Sequence, residues 1–234
     1  MDEKKNLVSV DGFVQQVILA LDKHTARDGM TAQLKMAHVQ RKLFPNKELS
    51  YRESAVIQLL YPVNNRLHMV LIKRSSRNVQ DKHKGQIAFP GGKRDKKDRS
   101  LQHTALRELR EEVGIQGQRI NILGRLTELF IPVSNFMVYP YLAYTDEIPE
   151  FKKQDSEVDE IIEMPLGMLF DKKLKRKKNL KVSDQVTLKA VPYYDIFGHI
   201  VWGATAMMLS EVEHLLLKDE ISVFSRSMKG TWHD

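Results

Sequence analysis

The sequence contains no cysteine, which excludes disulfides, thiolate metal sites and cysteine nucleophiles. It also lacks any apolar run near the roughly eighteen residues that a membrane helix needs. The longest candidate, residues 13–21, is interrupted by Gln15 and Gln16. Residues 1–5 lack the apolar segment that is typical of a secretory signal. We therefore expect a cytoplasmic protein with no membrane partner.

What the sequence does contain is an ordinary globular composition with an excess of positive charge. Of its 234 residues, 42% are hydrophobic and 29% are charged, which is enough apolar material for a core. The net charge of +7 favours a polyanionic partner, and solubility explains it equally well. Six of the seven residues at 172–178 are cations, a pattern that suits nucleic acid or membrane headgroups. Because no aromatic residue or RNA-binding motif accompanies them, we interpret this run as an exposed loop and do not expect nucleic acid as the partner.

Apolar periodicity predicts a helical N-terminal region followed by a mixed α/β body. Residues 11–44 show helical spacing with a break near Asp28 and Gly29, and Pro45 ends the region. We divide the chain into an N-terminal helical extension, residues 1–50, packed on a main domain, residues 51–234. The predicted strands span residues 55–61, 67–72, 86–89, 120–130, 136–144 and 186–192, and the predicted helices span 100–113, 165–170 and 204–218. Without regular βαβ alternation, this order predicts an α/β or α+β sandwich with a mixed sheet.

Three glutamates on the helix at 100–113 carry the strongest chemical signal. Glu108, Glu111 and Glu112 are spaced three and four residues apart, so all three can share one side of the helix. Like charges at these spacings repel by about a few tenths of a kcal/mol per pair, and a bound cation would offset this repulsion. Mg²⁺ is suited to the role because it prefers carboxylate and water oxygens. The alternative is a solvated acidic face paired with Arg107 and Arg110.

A Gly-Gly segment lies between a predicted strand and this helix. Gly91 and Gly92 predict a loop that lets the backbone approach a ligand or metal closely. An ordinary tight turn is the alternative. A strand, a Gly-Gly loop and an acidic helix in this order suit a site that holds phosphates and metal together.

Residues 92–115 resemble the Nudix box, whose second half reads Arg-Glu-apolar-x-Glu-Glu-x-Gly-apolar. Residues 107–115 match every specified position of that half. The first half of the box departs from the pattern. Asp98 stands where counting forward from Gly92 places a glutamate, eight residues instead of seven separate it from Arg107, and counting back from Arg107 reaches Arg99.

Segments around the box are similar to the coenzyme A pyrophosphatase branch of Nudix enzymes. Residues 71–75 and 83–89 resemble the signature that this branch carries before the box, which is associated with coenzyme A recognition. Residues 131–140, 157–166 and 201–206 resemble its downstream segments. The Leu-Arg of the branch reads Asp81-Lys82 here, so the cation would come from one of three residues, Arg77, Lys82 or Lys84.

The resemblance implies a Nudix-type α/β/α sandwich and a metal-dependent enzyme. In this branch, the pyrophosphate bond of coenzyme A or its derivatives is hydrolysed to 3′,5′-ADP and 4′-phosphopantetheine or its acyl form. Glu108, Glu111 and Glu112 would bind Mg²⁺ or Mn²⁺, and Arg107 would orient them. A nucleotide sugar, a dinucleoside polyphosphate or capped RNA stays open as the substrate. A non-catalytic Nudix-like module that binds a ligand also stays open.

The catalytic base and the substrate contacts are less sharply defined by the sequence. One of the three helix glutamates could serve as the base, or an acid from a later segment, where Glu157 is our candidate and Glu160 the next. For both of these, an acidic surface loop at 155–163 is the alternative. Phe136 and Trp202 could stack on adenine, although core packing is the favoured interpretation of Trp202. A homodimer is plausible by family analogy. The substrate-binding candidates are Arg74, whose guanidinium can bind phosphate bidentately, and His83, Lys84, Gly91, Gly92 and Lys93.

Overall fold

A mixed eight-stranded sheet forms the centre of the fold in the computed structural model. The model describes residues 10–38, 45, 50–64, 66–77, 82–115, 120–183, 185–218 and 221. The helices are α1 (Val10–Lys23), α2 (Ala26–Leu34), α3 (Leu101–Val113) and α4 (Gly203–Lys218). The strands are β1 (Arg52–Val63), β2 (Arg66–Arg74), β3 (Ile87–Ala88), β4 (Gly91–Lys93), β5 (Asn121–Arg125), β6 (Leu129–Ile131), β7 (Phe136–Tyr144), β8 (Val158–Pro165), β9 (Lys175–Lys181), β10 (Thr187–Ile196) and β11 (His199–Trp202).

The long strand β1 organises this sheet. It pairs in parallel with β7 and antiparallel with β2 and β4, so that the central order is β3-β2-β1-β7-β5. Strand β6 pairs with β7, and β8 pairs with β2. A separate three-stranded sheet has the order β11-β10-β9. Parallel and antiparallel pairs therefore coexist, as the interleaved sequence pattern predicts.

Two apolar cores cover the two faces of the central sheet. Residues such as Ile57 and Val70 pack with Leu109 of α3 on one face. On the other face, Leu60 and Leu142 belong to a larger core that includes α1 and α4. Each strand presents alternate side chains to opposite faces, which places one core on either side. The predicted α/β/α sandwich with a mixed sheet is confirmed.

The N-terminal helices begin and end differently from the prediction. The helix break lies at His24 and Thr25, because Thr25 caps α2 and forms a reciprocal capping box with Asp28. Gly29 lies inside α2, where an added Cβ would overlap the carboxylate of Glu211. The helical prediction for residues 39–44 and the sequence from 46 to 49 fall outside the described residues. The division into an extension at 1–50 and a main domain at 51–234 stays a proposal. Phe13 and other α1 side chains belong to the larger core, so α1 packs on the main domain.

Several other sequence predictions are wrong in ways that strand pairing explains. The Gly-Gly segment is not a loop but strand β4, which pairs with Ser54 to Val56 of β1. The basic run is not a loop either: residues 172–174 form a 3₁₀ turn, and the rest lies in β9. The surface loop that is the alternative for residues 155–163 is strand β8 from Val158 onward, and the predicted strand at 120–130 is divided into β5 and β6. For β4 and β8, hydrogen bonds to a strand distant in sequence decide the local structure, whereas β9 pairs with the next strand along the chain.

None of the described helices combines the length and the apolar character needed to cross a membrane.

A buried carboxylate joins the N-terminal helices to the body of the protein. Glu211 of α4 is fully buried. Its Oε1 atom accepts a hydrogen bond from the Thr127 backbone N–H (2.9 Å) and lies 2.9 Å from His24 Nε2, while its Oε2 accepts one from Gln33 Nε2 (2.8 Å). These three partners come from the connection before α2, from α2 itself and from the segment between β5 and β6.

We expect Glu211→Ala to destabilise the protein by about 3–5 kcal/mol, because it leaves several buried polar groups without their charged partner. The midpoint of urea unfolding measures this loss. The exposed Glu150→Ala change is the matched control, and it should stay within about 0.5 kcal/mol of the parent. A Glu211→Ala effect no larger than that of the control would show that the buried network contributes nothing.

Candidate active site

Helix α3 is defined sharply at both ends. The Oγ of Ser100 accepts a hydrogen bond from the His103 backbone N–H (3.1 Å), and Gly114 ends the helix in the left-handed conformation at φ 72°. Leu109 and Val113 are fully buried against the sheet. Fixed ends and a buried apolar side set the rotation of the helix, and with it the direction of its glutamates.

Three carboxylates meet beside this helix. Oxygen atoms of Glu108, Glu112 and Glu157 all lie within 4.8 Å of one another. Glu157 directly precedes β8, and its carbonyl oxygen accepts a hydrogen bond from the Ser75 N–H (2.8 Å) just after β2. The β2–β8 pair therefore brings Glu157 to α3. We call Glu108, Glu112 and Glu157 the carboxylate cluster.

The two glycines of β4 allow the carboxylate cluster to form. The Gly91 N–H donates a hydrogen bond to Glu112 Oε2 (2.8 Å). A Cβ on Gly91 would overlap the backbone of β1, and one on Gly92 would overlap the Glu108 carboxyl group. The backbone approaches the acids this closely only because neither residue has a side chain.

Burial makes the cluster unfavourable in its charged form. It raises the pKa of Glu112 to about 8, against the lowering effects of the Gly91 N–H and of Arg74, whose Nη1 lies 3.9 Å from Glu112 Oε1. Burial also raises the pKa of Glu108, and Arg107 acts in the opposite direction. Close carboxylate oxygens with this shortage of compensating charge match the hard donor set that divalent cations such as Mg²⁺ and Mn²⁺ prefer.

Arg107 is held in place by a buried aspartate. Its Nε and Nη2 atoms donate to the two carboxylate oxygens of Asp98, each at 3.0 Å. Asp98 also accepts hydrogen bonds from Thr104 Oγ1 and the Asp95 N–H, both at 2.9 Å. The Arg107 guanidinium holds the pKa of Asp98 well below its usual range. Counting forward from Gly92 therefore reaches a buried acid that is bonded to Arg107, whereas counting back from Arg107 reaches the exposed Arg99.

From this anchor, Arg107 reaches two glutamates of its own helix. Its Nη1 lies 2.9 Å from Glu108 Oε1 and 2.8 Å from Glu111 Oε2, and its Nη2 donates to the Lys93 carbonyl oxygen (3.2 Å). The Glu111 side chain is about half exposed and lies outside the carboxylate cluster. Its predicted role as a metal ligand stays a prediction that these side-chain positions do not favour.

The other residues singled out by the sequence have contacts outside the carboxylate cluster or are exposed. Glu160 lies in β8 with its Oε1 3.3 Å from His199 Nε2, and it is not part of the cluster. Lys84 and Lys93 are exposed. Phe136 lies against the Arg52 guanidinium, 4.2 Å from the ring centroid, and Trp202 ends β11 opposite Tyr193.

The segment at 82–86, which contains the substrate-binding candidates His83 and Lys84, is hydrogen-bonded to Arg74 and to the segment before β7. Arg74 exchanges backbone hydrogen bonds with Gly85 and Gln86, each at 3.0 Å. His83 Nε2 lies 3.1 Å from Ser134 Oγ, and Lys82 Nζ donates to the Val133 carbonyl oxygen (3.1 Å). Arg77, another candidate cation, faces Asp159 at 3.9 Å. Asp81, which precedes Lys82 in the segment that departs from the branch, lies outside the described residues.

Sequence reasoning left three of these contacts unseen. It did not predict that Asp98 fastens Arg107, that Gly91 binds Glu112, or that Ser75 fixes the backbone of Glu157. The buried Asp98 had a sequence signal in its position near the expected acid of the box. The other two contacts depend on strand pairs between distant segments, for which the sequence offers no local signal.

On this α/β/α sandwich, two acids of a capped helix meet a third acid just before β8, next to a glycine strand. This donor set is typical of a metal-dependent hydrolase that acts on phosphoanhydrides. A model of the NUDIX domain family matches residues 51–186. The chain belongs to the Nudix hydrolase family, whose members hydrolyse pyrophosphate bonds in derivatives of nucleoside diphosphates.

Relatives of known sequence and structure share this classification. A protein from Pectobacterium atrosepticum is 36% identical over 143 residues, covering 61% of this chain and 72% of its own. One from Photorhabdus laumondii is 32% identical over 168 residues, covering 72% and 88%. Both are called uncharacterized Nudix hydrolase NudL. The crystal structure of RenU, a Nudix hydrolase from M. smegmatis, has a TM-score of 0.45 and 13% identity and covers 71% of this chain and 87% of its own.

We expect Glu112→Gln to weaken Mn²⁺ binding by about 10–100-fold, because it removes one charge from the centre of the carboxylate cluster. The loss of the free-ion electron paramagnetic resonance signal on titration measures the affinity. Glu111→Gln is the matched control on the same helix and should change the affinity by less than about threefold, in line with an exposed ion pair. Equal losses in the two variants would contradict this geometry and restore Glu111 as a ligand.

Proposed function

We propose that this enzyme hydrolyses the pyrophosphate bond of coenzyme A or its acyl derivatives to 3′,5′-ADP and 4′-phosphopantetheine or its acyl form. One observation carries the proposal. Residues 83–89 and 131–140, two of the segments that resemble the coenzyme A branch, contact each other through His83 and Ser134. The first of them is also hydrogen-bonded to Arg74 beside the cluster. The segments on which the resemblance depends thus border the acids that would do the chemistry.

The residues present fit a divalent ion, and we propose Mg²⁺ or Mn²⁺. Glu108 and Glu112 would hold it, and Glu157 would stand beside it, since oxygens of all three lie within 4.8 Å of one another. When bound, such an ion neutralises phosphate charge and lowers the pKa of a coordinated water. The protein fixes the donors through the Gly91 N–H on Glu112 and through Arg107 on Glu108.

Arg74 is the residue best placed to hold a phosphate of the substrate. It ends β2, its guanidinium lies at the edge of the cluster, and its backbone is fixed on both sides by the loop at 85–86. A guanidinium presents a planar pair of donors that matches two phosphate oxygens. Arg74 would therefore orient the pyrophosphate against the carboxylates.

Glu157 is the acid that we propose as the base for the attacking water. It is exposed, whereas Glu112 is almost fully buried, so water reaches Glu157 more readily. Its backbone is fixed by Ser75, which limits the motion of the side chain. Glu160, the other sequence candidate, faces His199.

Purified protein supplied with Mg²⁺ or Mn²⁺ should convert coenzyme A to 3′,5′-ADP and 4′-phosphopantetheine, identified by mass spectrometry. Glu112→Gln is the inactive control. Because the chemistry would be the same on other pyrophosphates, kcat/KM is compared with that for a nucleotide sugar, a dinucleoside polyphosphate and capped RNA. A higher kcat/KM for one of these would transfer the assignment to that substrate, and ligand binding without turnover of any would indicate a non-catalytic module.

Glu157→Gln should lower kcat on the preferred substrate by about 10²–10⁴-fold, because a glutamine cannot accept the proton of the attacking water. Glu160→Gln, only three residues away, should leave kcat within about threefold, as for an exposed ion pair. Steady-state kinetics measures both, and the Mn²⁺ titration separates loss of the base from loss of the metal. Comparable kcat values for the parent and Glu157→Gln would eliminate Glu157 as the base.

A further inference from the structure

The net positive charge of this protein is concentrated in one hairpin. Residues 172–189, which we call the basic hairpin, contain eight lysines and arginines and a single acid, Asp184. Their net charge of +7 equals that of the whole chain, so the other residues are balanced at 29 cations and 29 acids. Solubility alone would be served by charge spread over the surface, whereas segregation of this kind is typical of a surface that meets a polyanion.

The fold presents this charge on a ribbon that points away from the core. Strands β9 and β10 are antiparallel, and Leu180 pairs with Leu188 near the turn. Residues 176–179 and 181–183 of the first arm are exposed, as are 185–187, 189 and 190 of the second, while 191–194 are buried at the base. The basic hairpin thus has a base in the protein and an exposed outer half.

Acidic partners occur at the base of the hairpin and are scarce further out. Lys175 pairs with Glu213 of α4, and Arg176 Nη1 lies 2.7 Å from Asp195 Oδ2. Among the residues that the structure describes, the exposed Lys177, Lys178 and Lys189 form no salt bridge. Their charge is therefore available to an external partner.

Two apolar side chains stand at the outer end of the same ribbon. Val182 is 44% exposed and Val186 is 46% exposed, on either side of the turn. Lysines along a ribbon with apolar residues at its tip match the two components of a lipid interface, anionic headgroups and the acyl boundary beneath them. Phosphate contacts along a nucleic acid would use the lysines and leave the valines without a role.

We propose that the basic hairpin docks the protein on an anionic lipid surface, with the lysines on the headgroups and the two valines at the acyl boundary. This docking is peripheral and involves no membrane-spanning segment, and it revises the expectation of no membrane partner. Nucleic acid is the less favoured partner, because residues 172–189 contain no aromatic side chain for base stacking and only one arginine.

The test is co-sedimentation of the full chain with phosphatidylcholine vesicles that do or do not contain phosphatidylserine. The protein should bind only the phosphatidylserine vesicles. A lysine near an anionic surface contributes about a fivefold gain in partition, so the triple variant Lys177→Gln, Lys178→Gln, Lys189→Gln should bind about a hundredfold more weakly. The control variant changes three exposed lysines elsewhere and so has the same net charge: Lys23→Gln, Lys97→Gln, Lys152→Gln.

The matched triples separate a docking surface from general attraction. Binding retained by the control and lost by the hairpin triple supports the proposal, and equal losses in both overturn it. Absence of binding to phosphatidylserine vesicles also overturns it. Circular dichroism and pyrophosphate hydrolysis should be unchanged in both triples, since none of the six lysines belongs to the carboxylate cluster.

The valines separate lipid from nucleic acid. The pair Val182→Ser, Val186→Ser keeps every charge and should lower the vesicle partition several-fold, because less apolar surface enters the acyl boundary. A Val182→Trp variant should show a blue shift of fluorescence, relative to the parent, only with phosphatidylserine vesicles. The proposal is overturned, and the surface assigned to nucleic acid, by two results together. Vesicle binding is then unchanged in the valine pair, and duplex RNA binds the parent but not the hairpin triple.

Discussion

The mutual approach of three carboxylates is the constraint on which the rest of the site depends. Oxygens of Glu108, Glu112 and Glu157 lie within 4.8 Å of one another, and burial disfavours the charged form of the first two. Such an arrangement forms only if the backbone forces it and if charge compensates it. The capped helix and the two glycines of β4 hold the backbone in the required position. A divalent cation between the carboxylates would compensate their charge, and this need matches the metal-dependent hydrolysis typical of the family.

The anchoring of Arg107 shows how much of this site could be predicted from sequence. The motif identified Arg107 and the glutamates, because helical spacing is a local property. It left open whether Asp98 or Arg99 fills the place of the missing glutamate, since counting from opposite ends of the motif gives different residues. Folding decides for Asp98, whose carboxylate is buried against Thr104 and Arg107. Spacing likewise placed Glu111 with the other acids, yet it pairs with Arg107, is half exposed and lies outside the carboxylate cluster.

The parts of the fold that sequence reasoning missed are those that exist through pairing with another strand and not through their own composition. Apolar, β-branched runs on either side of a turn located β1 and β2, and Gly114 marked the end of α3, because each of these signals is local. Strand β4 is a Gly-Gly segment with no strand propensity and exists through its ladder with β1. Strand β9 is largely lysine and exists through its ladder with β10. The helix break lies at Thr25 and not at the predicted Asp28 and Gly29, because Thr25 forms a reciprocal cap with Asp28. Gly29 stays inside α2, where close packing against Glu211 leaves no room for a side chain.

The position of the net charge changes what that charge means for the substrate. A protein at +7 attracts polyanions as a whole, yet the charge that produces this field lies in residues 172–189, and the rest of the chain is balanced. Screening limits the reach of such charges to about 8 Å at physiological ionic strength. Recognition of a pyrophosphate therefore depends on cations close to the carboxylates, and Arg74, whose Nη1 lies 3.9 Å from Glu112 Oε1, is such a cation. The net charge of +7 is accordingly evidence about the hairpin and not about the strength of substrate binding.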